Sequence, residues 1–455
     1  MYFAYSVLML LAACALAPYW LVQGLRHKKY FSNLKERLGL EFPGLKHPPE
    51  QRQGAIWLHA VSVGEALSCV GLARRLKEKY PGRPLIVSTT TITGQAIARE
   101  RMPFADAVIY FPLDWSFCVQ RALSAVNPAL VIILETEIWP NFLRESARRN
   151  VPVMFVSGRI SDRSFARYMR YFGVFGIFLR PFLRKVLANP SVYLMQGEKD
   201  ADRMRELGAP PEKVIASGNL KYDMERPAST PLAAWLEKEA ARTHREPIIV
   251  TGSVVATEEP LALIAFGVVQ GDYPKALLVL APRKPERFQA AADFIEESHR
   301  KFIRRSELGI AGPGNSRDET NHAVIPDDVT VLLLDSIGEL GSLYSLADGV
   351  LVGGSLVASG GHNILEPAAF GKVPVFGPFM ENFAEISQRF LNANAAVQVG
   401  SPEDAGVTWI ELLRNPEKMR LMGGAARRLV EGSRGATDRA LEAVDQLLGK
   451  TPERS

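Results

Sequence analysis

The sequence predicts an α/β protein made of two doubly wound, Rossmann-like domains with a cleft between them, preceded by a membrane-anchor helix. Three observations carry this. Two separate series of short apolar runs alternate with helical patterns, a polar and Pro-bearing stretch parts the two series, and the first 25 residues hold no charge. Composition agrees with a folded chain: 47% of the 455 residues are hydrophobic and 23% charged, which excludes disorder and fibrous repeats. The 54 Lys and Arg against 49 Asp and Glu leave a net charge of +5, too small to argue for nucleic acid, and no basic run is interleaved with aromatics. An anionic small ligand or an anionic membrane surface fits that balance. Cys14, Cys69 and Cys118 are too few for a disulfide framework or a thiolate metal cage, so the body reads as cytoplasmic.

Residues 1–25, MYFAYSVLMLLAACALAPYWLVQGL, are long enough to cross a bilayer, which takes about 20 residues. The first charges are Arg26, Lys28 and Lys29, so the positive-inside rule puts the body on the cytoplasmic side of the inner membrane. Two other readings compete. Leu11-Ala12-Ala13-Cys14 resembles a lipoprotein box but lacks a charged residue before it, and Pro18 could break the helix so that it embeds without spanning. The next segment, RHKKYFSNLKERLG, is basic and amphipathic and suits anionic head groups.

Parallel strands are expected at 55–61, 85–89, 107–111, 130–134, 151–156 and 193–195, with helices between them at 66–80 and 201–207 among others. A second series follows at 248–251, 276–280, 330–334, 349–352 and 374–376. The expected domains are an anchor at 1–25, a first Rossmann-like domain at 26–222, a linker at 223–246, a second Rossmann-like domain at 247–430, and a terminal helix and tail at 431–455. Segments 309–321 and 324–328 read as surface loops.

Sheets of this kind bind ligands at the carboxyl ends of their strands, and the chemistry-bearing residues cluster there. Neither first strand leads into a dinucleotide fingerprint or a P-loop, and no histidine pair has metal-ligand spacing, so no cofactor and no metal are expected. Asp200-Ala201-Asp202 has the spacing of a metal-diphosphate clamp, but it sits in the first turn of an amphipathic helix, where carboxylates suit the dipole. Glu65, in HAVSVGEA, lies just past the first strand, where a general base would stand; it could equally complement a helix start. Glu135 and Glu137 follow the VIIL strand and would share one face if the segment stays extended, with Arg159 and Lys221 as candidate cations. In the second series, Arg283 of APRKPERF offers a guanidinium suited to phosphate. Gly353-Gly354-Ser355 and Gly360 to Pro367 form a Gly-rich loop opening a short helix, where backbone amides could bind an anion and Glu366 could accept ribose hydroxyls.

The segments HAVSVGE, LETEIWPN, SGNLKYD, APRKPERF, IGEL and GGSLVASGGHNILEPAAFGKVPVFGP together resemble the Kdo transferases, which move 3-deoxy-D-manno-octulosonic acid from CMP-Kdo to lipid A precursors. The resemblance runs in order to about residue 390. It implies a GT-B fold whose last helix crosses back. It also implies that Glu65 is the proton acceptor, that Glu135 and Lys221 stabilise the transition state, and that Pro282, Arg283, Ile337, Gly338, Glu339, Asn363, Ile364, Leu365 and Glu366 hold CMP. The partners it implies are the CMP-Kdo donor, a lipid A precursor and membrane lipids. One departure stands out: the family's Thr-His-x-Gly-Glu-Glu-like stretch is replaced at 251–259 by TGSVVATEE, which keeps the acidic pair but lacks the His and the Gly. The expected reaction is an inverting, metal-independent glycosyl transfer, with Lys221, Arg283 and the helix start near Asn363 neutralising the departing CMP. The alternatives are another GT-B transferase or an epimerase acting on a different nucleotide sugar, or a non-catalytic sugar-nucleotide binding module.

Overall fold

The computed structural model describes residues 1–11, 14–15, 33–45, 54–224, 226–312 and 324–449. The basic flank at Arg26, most of the expected anchor beyond residue 11 and most of the 309–321 loop lie outside them. Among the described residues no helix is long and apolar enough to cross a membrane. The chain divides into two compact units, 1–224 with 433–455, and 225–432.

The first unit is a seven-stranded sheet: β1 (Ala55–His59), β2 (Leu85–Thr89), β3 (Ala107–Tyr110), β4 (Pro128–Leu134), β5 (Val153–Gly158), β6 (Val192–Met195) and β7 (Val214–Ala216). Its order is β3-β2-β1-β4-β5-β6-β7 and every pairing is parallel. β1 and β4 are almost entirely buried along their length because both faces of the sheet are covered. Alternation sorts their side chains: Trp57, Val131 and Ile133 join the core on one face, Leu58, Ile132 and Leu134 the core on the other. The last helix, Ala436–Gly449, packs on the second of these faces through Ala440, Leu441 and Val444.

The second unit repeats the plan with β8 (Ile248–Val254), β9 (Leu277–Pro282), β10 (Lys301–Arg304), β11 (Val329–Leu333), β12 (Gly349–Val352), β13 (Pro374–Phe376) and β14 (Val397–Gln398). The order is β10-β11-β9-β8-β12-β13-β14, again parallel throughout. In both sheets the first strand sits beside a neighbour from each half of its series. The chain order reverses between β1 and β4 and between β8 and β12, which are the switch points where ligands of such sheets bind.

The expected linker at 223–246 contains the helix Pro231–Thr243, which buries Leu232, Ala233 and Leu236. Its prolines mislead because Pro231 occupies the first turn, where no amide partner is needed, and Thr230 caps the start by accepting from the Ala233 amide.

Candidate active site

Glu65 lies in the first turn of the helix Val63–Ser68, directly after β1, and is 7% exposed. Ser62 caps this helix, accepting from the Glu65 amide, while the Glu65 carboxylate accepts from the Val61 amide at 2.8 Å and the Ser62 hydroxyl at 3.0 Å. The local structure is therefore close to a capping box. Those two donors favour the ionised form, yet the proton is held more tightly than usual: burial first, then the nearby Glu135 carboxylate, with Glu137 adding less, raise the pKa from 4.5 to about 7. Three carboxylates thus gather at the β1–β4 switch point, because the two strands are hydrogen-bonded neighbours. Burial, and then Glu135, push Glu137 upward as well.

Glu135 takes φ +53°, so the loop leaves β4 through a left-handed residue. The expectation that Glu135 and Glu137 share a face through simple alternation does not hold, since that residue breaks the extended run. The bent loop leaves them close enough for the Glu135 charge to hold the Glu137 proton more tightly. His59, which opens the motif, stacks on Phe111 at 3.8 Å and reaches Ser88 through Nδ1; full burial lowers its pKa to about 3, so the ring stays neutral at physiological pH. Lys221 sits in the short turn Leu220–Asp223, which Asn219 caps by accepting from the Lys221 amide at 2.9 Å. The same turn is fixed to the last helix, since Asp223 accepts from the Gly435 amide at 2.6 Å. Asp200 accepts from the Ile160 amide at 2.7 Å and Asp202 pairs with Arg205, so both carboxylates of the D-x-D have structural partners.

In the second unit Pro282 ends β9 and Arg283 follows it, exposed, with its amide donating to the Val254 carbonyl at 2.7 Å. The Arg283 guanidinium acts on three neighbours: it lowers His362 and Glu366 and opposes the upward push on Tyr344. Burial is nonetheless the larger influence on each, taking His362 down to about 4 and raising Glu366. Asn363 donates to Glu366 at 3.3 Å and accepts from the Leu365 amide at 3.1 Å, while Ile364 and Leu365 are buried beneath. Ile337 is exposed, Gly338 turns at φ +94°, and Glu339 is fully buried. The Glu339 carboxylate takes both arms of the Arg305 fork at 2.8 and 3.0 Å together with the Ser336 hydroxyl, so its side chain braces the loop.

The expected anion site in the Gly-rich loop needs correction. The amides of Gly354, Ser355 and Leu356 donate to the buried carboxylate of Glu258 at 2.6, 3.0 and 2.9 Å, which fills that nest with a protein anion. The Leu365 amide likewise donates to the Asn363 side chain at 3.1 Å. Glu259 pairs with Arg287 at 2.8 Å. Sequence reasoning noticed the acidic pair but not this task, because Glu258 and its loop lie 96 residues apart. Tyr344 and His362 were missed too; a buried Tyr in a short helical turn gives no sequence signal, whereas His362 stands within the GGHNILE motif. Counting back from Glu258, the family's glycine falls on Thr257, whose φ of +72° is the backbone a glycine adopts without strain.

A family model described as 3-Deoxy-D-manno-octulosonic-acid transferase (kdotransferase) matches residues 32–224. A 3-deoxy-D-manno-octulosonic acid transferase of Haemophilus influenzae is 32% identical over 98% of this chain and 98% of that protein. The Bordetella pertussis transferase of the same description is 32% identical over 88% of this chain and 89% of its own length. Among solved structures, a UDP-GlcNAc 2-epimerase from Neisseria meningitidis bound to UDP-GlcNAc superposes with a TM-score of 0.53 at 14% identity, covering 87% of this chain and 100% of that one. Another UDP-N-acetylglucosamine 2-epimerase gives a TM-score of 0.54 at 13% identity, over 89% and 99% of the two chains. At such identities the likeness shows the two-domain GT-B fold alone.

Proposed function

The chain belongs to the 3-deoxy-D-manno-octulosonic acid (Kdo) transferase family, and from that membership we propose that it transfers Kdo from CMP-Kdo to a lipid A precursor, with inversion and without a metal. Glu65 removes the proton from the sugar hydroxyl of the lipid as that oxygen attacks the anomeric carbon of Kdo. The C–O bond to CMP breaks as the new one forms, and the departing CMP takes the electron pair. Glu135 and Lys221 serve the transition state, and the second unit holds the nucleotide through Pro282, Arg283, the Ile337–Glu339 loop and Asn363 to Glu366. The protein works at the cytoplasmic face of the inner membrane, a reading supported by the uncharged residues 1–25 and the basic flank at Arg26, Lys28 and Lys29.

The observation that carries the mechanism is Glu65: a buried carboxyl at the β1–β4 switch point whose pKa, near 7, suits proton transfer at neutral pH. A monophosphate leaving group develops less charge than a diphosphate. Arg283 is the cation offered to it, and the structural commitment of Asp200 and Asp202 supports a metal-free route. The test is direct. The purified full chain is incubated with CMP-Kdo and a tetra-acylated lipid A precursor, and the lipid is weighed by mass spectrometry. Addition of Kdo that persists in EDTA is expected; no added sugar would overturn the substrate assignment, and loss in EDTA restored by a divalent ion would overturn the metal-free route.

A further inference from the structure

Two stretches of the first unit, far apart in sequence, meet at the turn that carries Lys221. The chain leaves this unit after Met224 and returns to it at Ser433, so the turn Leu220–Asp223 lies just before the exit and the last helix, Ala436–Gly449, just after the return. Asp223 joins them. One oxygen of its carboxylate accepts from the Gly435 amide at 2.6 Å and the other from the Thr437 amide. Amides at a helix start have no carbonyl of their own helix to meet, and a carboxylate there also faces the positive end of the dipole. The cap is thus supplied from a residue 212 positions away from Gly435. A local cap is missing: residue 435, where a helix usually carries its own Ser, Thr or Asp, is a glycine at φ +100°.

Further contacts run along the same seam. Arg439, one turn into the helix, donates through Nε to the Ser217 carbonyl at 2.6 Å, and Arg434 donates to the Met224 carbonyl at 3.3 Å. Leu220 is buried in the same core as Ala436, Ala440 and Leu441. The other side of the turn is held from the end of β5. Ser157 donates to Asn219 Oδ1 at 3.3 Å and accepts from the Leu220 amide at 3.3 Å, while Asn219 Nδ2 donates to Gln196 at 2.9 Å. Ser157 does this at φ +57°, a backbone that a residue with a side chain keeps only where its surroundings hold it. The backbone is therefore fixed on both sides of Lys221, at 219–220 from the sheet and at 223 from the last helix.

The geometry points to Asp223 as a positioning residue for Lys221: by capping the last helix from within the turn, it fixes where the Lys221 amine stands in the transition state. A lysine side chain is long and flexible, so its reach is set by the place of its backbone, and a displacement of about 1 Å can cost about 10²-fold in rate. The inference rests on the role proposed above for Lys221 and goes beyond it, because it gives the start of the last helix a part in catalysis.

The experiment is a double-mutant cycle in the full chain, assayed with CMP-Kdo and a tetra-acylated lipid A precursor. Asp223→Ala should lower kcat by about tenfold to a hundredfold while CMP affinity stays within about twofold, since the residues proposed to hold the nucleotide are elsewhere. Asp223→Asn keeps one acceptor for the helix start and should recover part of the rate. In a Lys221→Met background, adding Asp223→Ala should change kcat by no more than about twofold, because the amine it positions is gone. Should Asp223→Ala not fold, the same cycle run with Asp223→Asn decides. A loss of kcat that is undiminished in the Lys221→Met background would overturn the proposal, as would a lowered melting temperature with normal kcat, which would leave Asp223 a cap and nothing more. Near-normal kcat in Lys221→Met alone has a different meaning: it would remove the transition-state role of Lys221, and this proposal with it.

Discussion

At the residue scale the site is a contest between burial and hydrogen bonding, and Glu65 shows which wins. Two donors pull its carboxyl toward ionisation, but burial and two neighbouring carboxylates hold the proton to about pH 7. The dependence on a free base should appear as an acidic limb in kcat/KM, with activity falling as the pH drops through an apparent value near 7; a limb near 4.5 would deny the coupling. The sign for stability is the reverse. The folded state binds this proton more tightly than the unfolded chain, so the contribution is complete below about 4.5 and is lost as the pH rises toward 7. In the second unit, Glu366→Ala should weaken CMP binding by about 1–3 kcal/mol through lost ribose contacts, and Arg283→Ala should do the same through the phosphate. Calorimetry giving unchanged CMP affinity in both variants would remove the nucleotide from that loop. Thr257 supplies a converse case, a β-branched residue at φ +72°. Thr257→Gly should raise the stability of the second unit by about 1 kcal/mol, which a denaturation midpoint will show as a gain or refute as a loss.

At the element scale the last helix ties the carboxyl end of the chain to the first sheet. Leu441 and Val444 are buried there, Arg439 donates to the Ser217 carbonyl at 2.6 Å, and the Gly435 amide meets Asp223 in the turn that carries Lys221. Leu441→Ala should cost about 2–5 kcal/mol by leaving a cavity in this packing, measured by urea unfolding. A cost near zero would mean the helix is not part of the folded first unit. Most strands were legible because both faces of a parallel sheet are covered, and runs such as LVIIL and ALLVL have no other use. The unread ones are edge or near-edge strands. β10 is KFIR, charged at both ends, β7 is three residues long and β14 two, and short or charged strands are what sheet edges tolerate. The helix Pro231–Thr243 was hidden by a proline whose position in the first turn only the structure reveals.

At the scale of the whole molecule, proton transfer and nucleotide binding are assigned to different units, and the sequence made that division readable before the strand order was known. Glu65, Glu135 and Lys221 all follow strands of the first series, while Arg283 and Glu366 follow strands of the second. What the linear text could not convey is adjacency. Only the pairing of β1 with β4 brings Glu65 to Glu135, and only the pairing of β8 with β12 lets Glu258 fill the nest of the Gly-rich loop. Because the residues proposed to hold the nucleotide belong to the second unit, removing residues 1–25 should weaken membrane association while leaving CMP affinity unchanged, checked by flotation and calorimetry on the same preparation. The division of labour is tested most directly by Glu65→Gln in the full chain, with turnover, CMP affinity and thermal stability measured together. Gln keeps the shape and can still support the helix start, but it accepts no proton. Turnover should fall by about 10²–10⁴ while CMP affinity and thermal stability barely move; near-normal turnover, or a loss of CMP affinity that accompanies the loss of rate, would contradict it.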